Sequence, residues 1–468
     1  MKQLLSQKSF VLTAFSFALV RVSYCSVENV QVVHPRINIP KIAKYFGTKG
    51  RYEEVNPYLL DDIRAINKTL LKPPSVDCVP VHLTAVIRHG TRYPTAKNVQ
   101  KIQRLYDLVS REATNDEKWL HDIITKWKMW YTDDMDGQIV EKGRDDHRHL
   151  AVRLAKSFPS LISEENLRSN RIKFITSSKH RCVDSTVAFI EGLKKFWEVK
   201  DMDFGYEVND SLMRFFDQCR RFIEDVDKNK MALKEVELFK SSEEMKRVQI
   251  NIANRLQLQY SKVTPDLVEA AFYLCSYEFS IKSVNSPWCN LFNEVDAKVL
   301  EYANDLKQYW KRAYGHDINR KSSCILFHDV FSRLDQAANE IRFGHVTEAV
   351  TVQVGHAETL LPLLSLMGFF RDETPLTADN YVLQGNRTFH TSRIVPYAAN
   401  LVFVLYDCEE GLRLQFLLNE RPLAFPGIGH SAPLYEAVRG RYGDLLEGCN
   451  FEEECEVPKT SGSKYTEL

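Results

Sequence analysis

Arg88-His89-Gly90-Thr91-Arg92-Tyr93-Pro94-Thr95 brings two guanidiniums, an imidazole and hydroxyls into one short run. An arginine one residue before a histidine and another three residues after it suit a phosphoryl group. Guanidinium forks take its oxygens in pairs while an imidazole nitrogen attacks phosphorus. Gly90 allows the backbone to approach a ligand, and Pro94 stiffens the exit. The competing reading is a surface loop with scattered basic residues. Two more runs carry chemistry: Thr176-Ser177-Ser178-Lys179-His180-Arg181-Cys182, and Gly355-His356-Ala357-Glu358, where a carboxylate follows an imidazole by two residues.

Each run needs an element to position it. Val79 to Ile87 alternates and is rich in β-branched residues, which predicts a strand. Val99, Ile102, Leu105, Tyr106 and Val109 then recur at helical spacing. Ile172 to Thr176 is a second strand, before a helix marked by Val183, Val187, Ile190 and Leu193. Ala349 to Val354 is a third, before a helix through Leu360, Leu361, Leu364 and Met367. Strand, charged loop and helix therefore occur three times, and open α/β sheets bind ligands at the carboxyl ends of their strands. Arg181 falls at a helix start, where a positive charge opposes the helix dipole, so its use is sought in a phosphate rather than locally.

The first run resembles the nucleophile motif of the histidine acid phosphatases at every defining position. The Arg181 run resembles that family's second arginine element and is especially similar to the multiple inositol polyphosphate phosphatases. His356-Ala357-Glu358 departs from the family's His-Asp pair, with Ala357 in the aspartate position. With Thr359-Leu360-Leu361-Pro362-Leu363-Leu364 behind it, the run again resembles the multiple inositol polyphosphate phosphatase branch. The resemblance implies an α/β fold of the phosphoglycerate-mutase type, with a mostly parallel sheet flanked by helices and an inserted α-helical cap. It implies that His89 is transiently phosphorylated and that Arg88, Arg92, Arg181 and His356 hold the phosphoryl oxygens. Thr95 contributes a hydroxyl contact, and Glu358 is left as the proton donor. The implied substrates are inositol polyphosphates, phytate among them, and 2,3-bisphosphoglycerate. No cofactor and no metal are implied. Lys97, Lys179 and His180 are read either as contacts to further phosphates or as exposed solubilising charges.

The chain has 468 residues, 44% hydrophobic and 26% charged, with 62 basic and 62 acidic side chains. A neutral balance points away from nucleic acid and membrane surfaces, so an anionic substrate must be drawn by a local basic pocket. The partner expected is a small polyanionic phosphate ester. Oligomeric state is left open.

Lys2 and Lys8, an apolar run from Phe10 to Val20 and small residues near Cys25 read as a secretory signal over 1–25. No later stretch is long and apolar enough to span a membrane. Entry into the secretory pathway makes disulfides expected for the nine cysteines after Cys25, with one thiol left over. Cys449 with Cys455, and Cys275 with Cys289, are near enough in sequence to form local staples. The resemblance suggests that Cys78 and Cys408 tie the sheet together. Asn67, Asn209 and Asn386 head glycosylation sequons. The terminal Glu467-Leu468 is like a retrieval signal but lacks its usual preceding residues, so the endoplasmic reticulum lumen and secretion both stand as destinations.

The remaining boundaries are an N-terminal wrapping segment over 26–75, α/β parts over 76–199 and 323–455, a helical cap over 200–322 and a polar tail over 456–468. In the cap, Ser241 with Glu244 reads as a capping box, and Thr264-Pro265 as another helix start. Trp119, Ile123, Ile124, Trp127 and Trp130 read as packing rather than a sugar platform. Asp145, Asp146, His147 and His149 invite a metal reading, but residues two apart do not share a helix face, so a solvated face is expected. Three rivals remain to the inositol phosphate reading: a phosphoglycerate-type mutase, a broad acid phosphatase, and a non-catalytic polyanion-binding protein. Binding alone needs neither the His89 nucleophile nor the Glu358 donor, which argues against the last.

Overall fold

The computed structural model describes residues 39–114 and 116–457, so the signal segment, most of the polar tail and the terminal Glu-Leu lie outside the described residues. Seven strands form one sheet in the order β3-β2-β4-β1-β5-β6-β7. They are β1 (Val79–Arg88), β2 (Ile172–Thr176), β3 (Glu207–Val208), β4 (Val350–Gly355), β5 (Asn400–Asp407), β6 (Arg413–Leu418) and β7 (Arg421–Pro422). β1 to β4 pair in parallel, whereas β5, β6 and β7 each pair antiparallel with the strand before them in the order. The β5–β6 pair is a hairpin joined through residues 408–412.

Helices of ten or more residues are α1 (Ala96–Glu112), α2 (Glu141–Ser157), α3 (His180–Phe196), α4 (Glu243–Leu256), α5 (Pro265–Lys282), α6 (Glu294–Arg312), α7 (Cys324–Glu340) and α8 (Ala357–Leu366). The alternation along β1 divides the core. Leu83, Ala85 and Ile87 pack with Leu150, Leu154, Phe189 and Leu193 of α2 and α3. Val86 joins the larger core on the opposite face, shared with the helices between β3 and β4. Each such aliphatic or aromatic side chain contributes about 1.5–3 kcal/mol when fully buried. Between Asp210 and Lys321 the elements are helical, as expected of a cap, although β3 extends the sheet beyond residue 200.

Several local expectations change. The helix at Glu243 is capped by Ser242, whose side chain accepts from Met245 N–H, rather than by Ser241. Thr264 caps α5 with Pro265 at its start, as read. Disulfides join Cys78–Cys408, Cys219–Cys455, Cys275–Cys289 and Cys324–Cys449. The Cys449–Cys455 staple therefore does not form, because each partner faces a different helix of the cap and sheet region. Cys182 is the unpaired thiol and is buried. Among the described residues no helix is long and apolar enough to cross a membrane.

The segment before the sheet is more than a wrapping. Tyr52, Arg51 and Glu53 are buried. Tyr52 donates to Glu420 at 2.7 Å, and Glu420 also receives Arg153 at 2.9 Å. Of the sequons, Asn386 is exposed; Asn67 is only partly exposed, and its side chain caps its own turn. Asn209 is partly buried and caps a short helix, and its Nδ2 donates to Glu207.

Candidate active site

The sheet register brings the three charged loops together. Arg88 stands opposite Gly355 on β4, and Thr176 of β2 stands opposite Val354 on the other side of the same strand. All three loops thus leave parallel strands at one end. His89 N–H donates to Gly355 O at 2.9 Å, and its ring centroid lies 5.6 Å from that of His356.

The first loop is seated on the start of α2. A Cβ on Gly90 would lie 2.1 Å from the carbonyl oxygen of Gly143, and one on Gly143 would lie 2.1 Å from that of Thr91. Gly90 is therefore required by backbone packing, not by the ligand approach expected of it. Thr91 Oγ1 donates to Asp146 at 2.8 Å, Gly90 N–H to Ser185 at 3.0 Å, and His147 Nε2 to Arg88 O at 3.0 Å. Asp146 and His147 are buried, so the solvated face expected for them is corrected: they anchor the loop. The other half of that cluster, Asp145 and His149, forms no group with them that would suit a metal. Trp127 and Trp130 both donate to Glu278 and pack, as read.

His89 is 3% exposed. Burial pushes its pKa well below the usual imidazole range, and Arg88, Arg181, His356 and Arg92 push it further. Its ring is thus neutral. Arg88 is equally enclosed; its Nη1 donates to Thr48 O at 2.7 Å and Val395 O at 2.6 Å. Burial lowers the Arg88 guanidinium to about 10. The Nε atoms of Arg88, Arg92 and Arg181 are buried without a protein partner among the described residues, which leaves donors for an anion. A Cβ on Gly137 would lie 3.6 Å from Arg181 Nη1 and 3.9 Å from Thr95 Cγ2, so these two border the same loop.

On β4, His356 Nε2 meets Ser177 Oγ at 2.9 Å, and Thr359 Oγ1 accepts from the His356 N–H. Burial and then Arg181 lower its imidazole to about 3. Glu358 lies in the first turn of α8. Burial alone would raise its carboxyl, but Arg312, then His356, a backbone hydrogen bond and Arg88 override this and hold it at about 2. Lys97, Lys179 and His180 are exposed. Lys97 borders a cavity of about 420 Å³ with Lys101, Lys307 and Tyr273.

Three neighbours of this site escaped the sequence reading. Lys49 lies 3.6 Å over the Tyr273 ring; burial lowers it to about 7, with Lys307, Arg92 and Arg88 adding to the shift and Glu269 opposing it. Arg312 ends α6, stacked 5.0 Å from Phe216. Tyr397 lies beneath Arg88. None belongs to one of the three charged runs: Lys49 falls in the segment over 26–75, Arg312 in that over 200–322 and Tyr397 in that over 323–455. Among the described residues Glu301, Asp305 and His390 bring metal-capable atoms together, but Arg387 already bridges both carboxylates. Thr391 and Ser392 take further oxygens, so the donors are spent on holding α6 to the turn before Tyr397.

The family model of the histidine phosphatase superfamily (branch 2) matches residues 81–419. The chain belongs to this superfamily. Within it, the chain is 46% identical over 471 residues to multiple inositol polyphosphate phosphatase 1 of Homo sapiens, across 95% of this chain and 96% of the relative. It is 47% identical over 432 residues to the Gallus gallus protein of the same name, across 91% and 95%. Membership of the multiple inositol polyphosphate phosphatase branch follows, and the chain is a phosphatase. Among solved structures, the Bifidobacterium longum multiple inositol polyphosphate phosphatase complexed with inositol hexasulfate superposes with a TM-score of 0.66 at 14% identity, over 83% of this chain and 95% of that one. The phytase from D. castellii gives 0.70 at 16%, over 88% and 87%. At such identities the likeness concerns the fold, an α/β phosphatase with helical additions.

Proposed function

We propose that this phosphatase removes phosphates from inositol polyphosphates through a phosphohistidine at His89, and that it acts in an oxidising secretory compartment. The observation that carries the reading is the convergence of a neutral, buried imidazole with three guanidiniums that keep unspent donors, at one end of the sheet. The names of the relatives at 46% and 47% identity support the substrate class. The four disulfides support the compartment.

In the first step the lone pair on His89 Nε2 forms a bond to phosphorus as the bond from phosphorus to the inositol oxygen breaks. Arg88, Arg92 and Arg181 face the charge on the transferring oxygens; His356, neutral and bound to Ser177, adds a polar contact, and Thr95 adds a hydroxyl at the rim. Glu358 passes a proton to the leaving alkoxide. In the second step its carboxylate takes a proton from water, water oxygen bonds to phosphorus, and the nitrogen–phosphorus bond breaks to release phosphate. A carboxyl held at about 2 in the free site acquires its proton only when the bound ester's negative charge offsets the cations around it, which favours acid pH.

The test is phosphate release from metal-stripped protein offered inositol hexakisphosphate, 2,3-bisphosphoglycerate and an aryl phosphate. Preferred release from the inositol ester is expected. Release from the aryl ester alone would leave a broad acid phosphatase.

A further inference from the structure

Tyr397 lies on the turn into β5, outside all three charged loops, and is fully buried. Its ring centre is 4.6 Å from the Arg88 guanidinium carbon and 6.1 Å from the centre of the His89 ring. The backbone fixes it there: Tyr397 N–H donates to Gly50 O at 3.1 Å, and Ala398 N–H donates to His89 O at 3.2 Å. Its hydroxyl has no protein partner among the described residues. Arg92, Arg88 and Arg181 favour ionisation of that hydroxyl and Tyr277 opposes it. Burial pushes the phenol up to about 12, so it carries its proton throughout the working range.

A phenylalanine would fill this position without burying an unpaired hydroxyl, which is destabilising unless something supplies an acceptor. Guanidinium nitrogens only donate, and the Tyr277 hydroxyl, which could accept, does not reach it, so the acceptors the site can receive are phosphoryl oxygens. We infer that Tyr397 is a further substrate-binding residue, whose hydroxyl donates to an oxygen of the phosphoryl group being transferred to His89. A neutral donor adds to the cradle of cations without further lowering the nucleophile's affinity for its proton. It also bears on the phosphoryl group alone, so its effect is the same whatever alcohol leaves.

The inference rests on the reading of His89 as nucleophile, and the test separates the two. Tyr397→Phe keeps the ring and its stacking on Arg88 and removes only the hydroxyl. Expected are a loss of about 10- to 100-fold in kcat/KM, equal for inositol hexakisphosphate and an aryl phosphate, and a similar weakening of competitive inhibition by inorganic phosphate, with an unchanged or raised melting temperature. Unchanged inhibition by phosphate in the folded variant overturns the inference. His89→Ala, assayed alongside, reports separately on the nucleophile: turnover surviving there sinks the phosphohistidine, while the phosphate affinity of Tyr397→Phe still decides the hydroxyl contact.

Discussion

The carbonyl oxygen of Gly90 lies 2.9 Å from Nδ1 of His89. A carbonyl only accepts, so the imidazole proton is on Nδ1 and the lone pair is on Nε2. One main-chain contact thus chooses which nitrogen is free to attack. His89→Ala should fold as the parent does and lose ~10³-fold or more in turnover. In the parent, base-quenched during turnover, phosphate should be found on Nε2 of His89; label on another residue would remove the assignment.

Glu358→Gln should discriminate between leaving groups. An inositol alkoxide needs a proton as it departs, so release from inositol hexakisphosphate should fall by ~10²–10⁴. An aryl phosphate with an acidic phenol leaves unaided and should lose far less. Equal losses on both esters would assign Glu358 to binding instead.

Arg312 is the foremost of the cations that hold the Glu358 carboxyl low. Removing a positive charge makes the carboxylate harder to form, so Arg312→Met should raise that pKa. The protonated donor then persists to higher pH. The alkaline limb of the kcat profile should move upward, and a limb that stays put or moves down would show that Arg312 does not tune the donor.

Arg181 acts on the nucleophile in the same sense. It disfavours the imidazolium of His89, so Arg181→Gln should raise the pKa of that ring. As pH falls, the neutral form is then lost earlier, and the acid limb of kcat/KM should shift to higher pH. A titration of kcat/KM with aryl phosphate reads this directly, separately from the overall loss of rate.

Stability should be most sensitive at a buried ion pair that takes no part in the proposed chemistry. Arg153 and Glu420 are each 1% exposed and joined by contacts of 2.9, 3.0 and 3.1 Å, with Tyr52 completing the carboxylate. Arg153→Ala strands a buried carboxylate and should cost about 3–5 kcal/mol in denaturant unfolding. Adding Glu420→Gln should recover part of that loss, since a neutral amide costs less to bury. No recovery would mean that the loss comes from packing of the arginine stem.

The sequence alone determined which charged residues gather: Arg88, His89, Arg92, Arg181, His356 and Glu358 stand in short runs at strand ends, and a parallel sheet leaves such runs no place but one edge. Strand alternation and helical spacing are local signals, set by which face of each element meets the core, so they were legible. Nearness in sequence suggested Cys275–Cys289, which forms, and equally Cys449–Cys455, which does not. Of what joins distant segments, Cys78–Cys408 was suggested by the family resemblance, and the rest was not legible. Cys219 with Cys455, Asp146 under Thr91, Lys49 over Tyr273 and Tyr397 beneath Arg88 are neighbours only once the distant segments pack together. Tertiary packing also decided what Gly90 is for. Its pattern suits a ligand or a neighbouring backbone equally well, and only the approach of Gly143 shows which one excludes a side chain there.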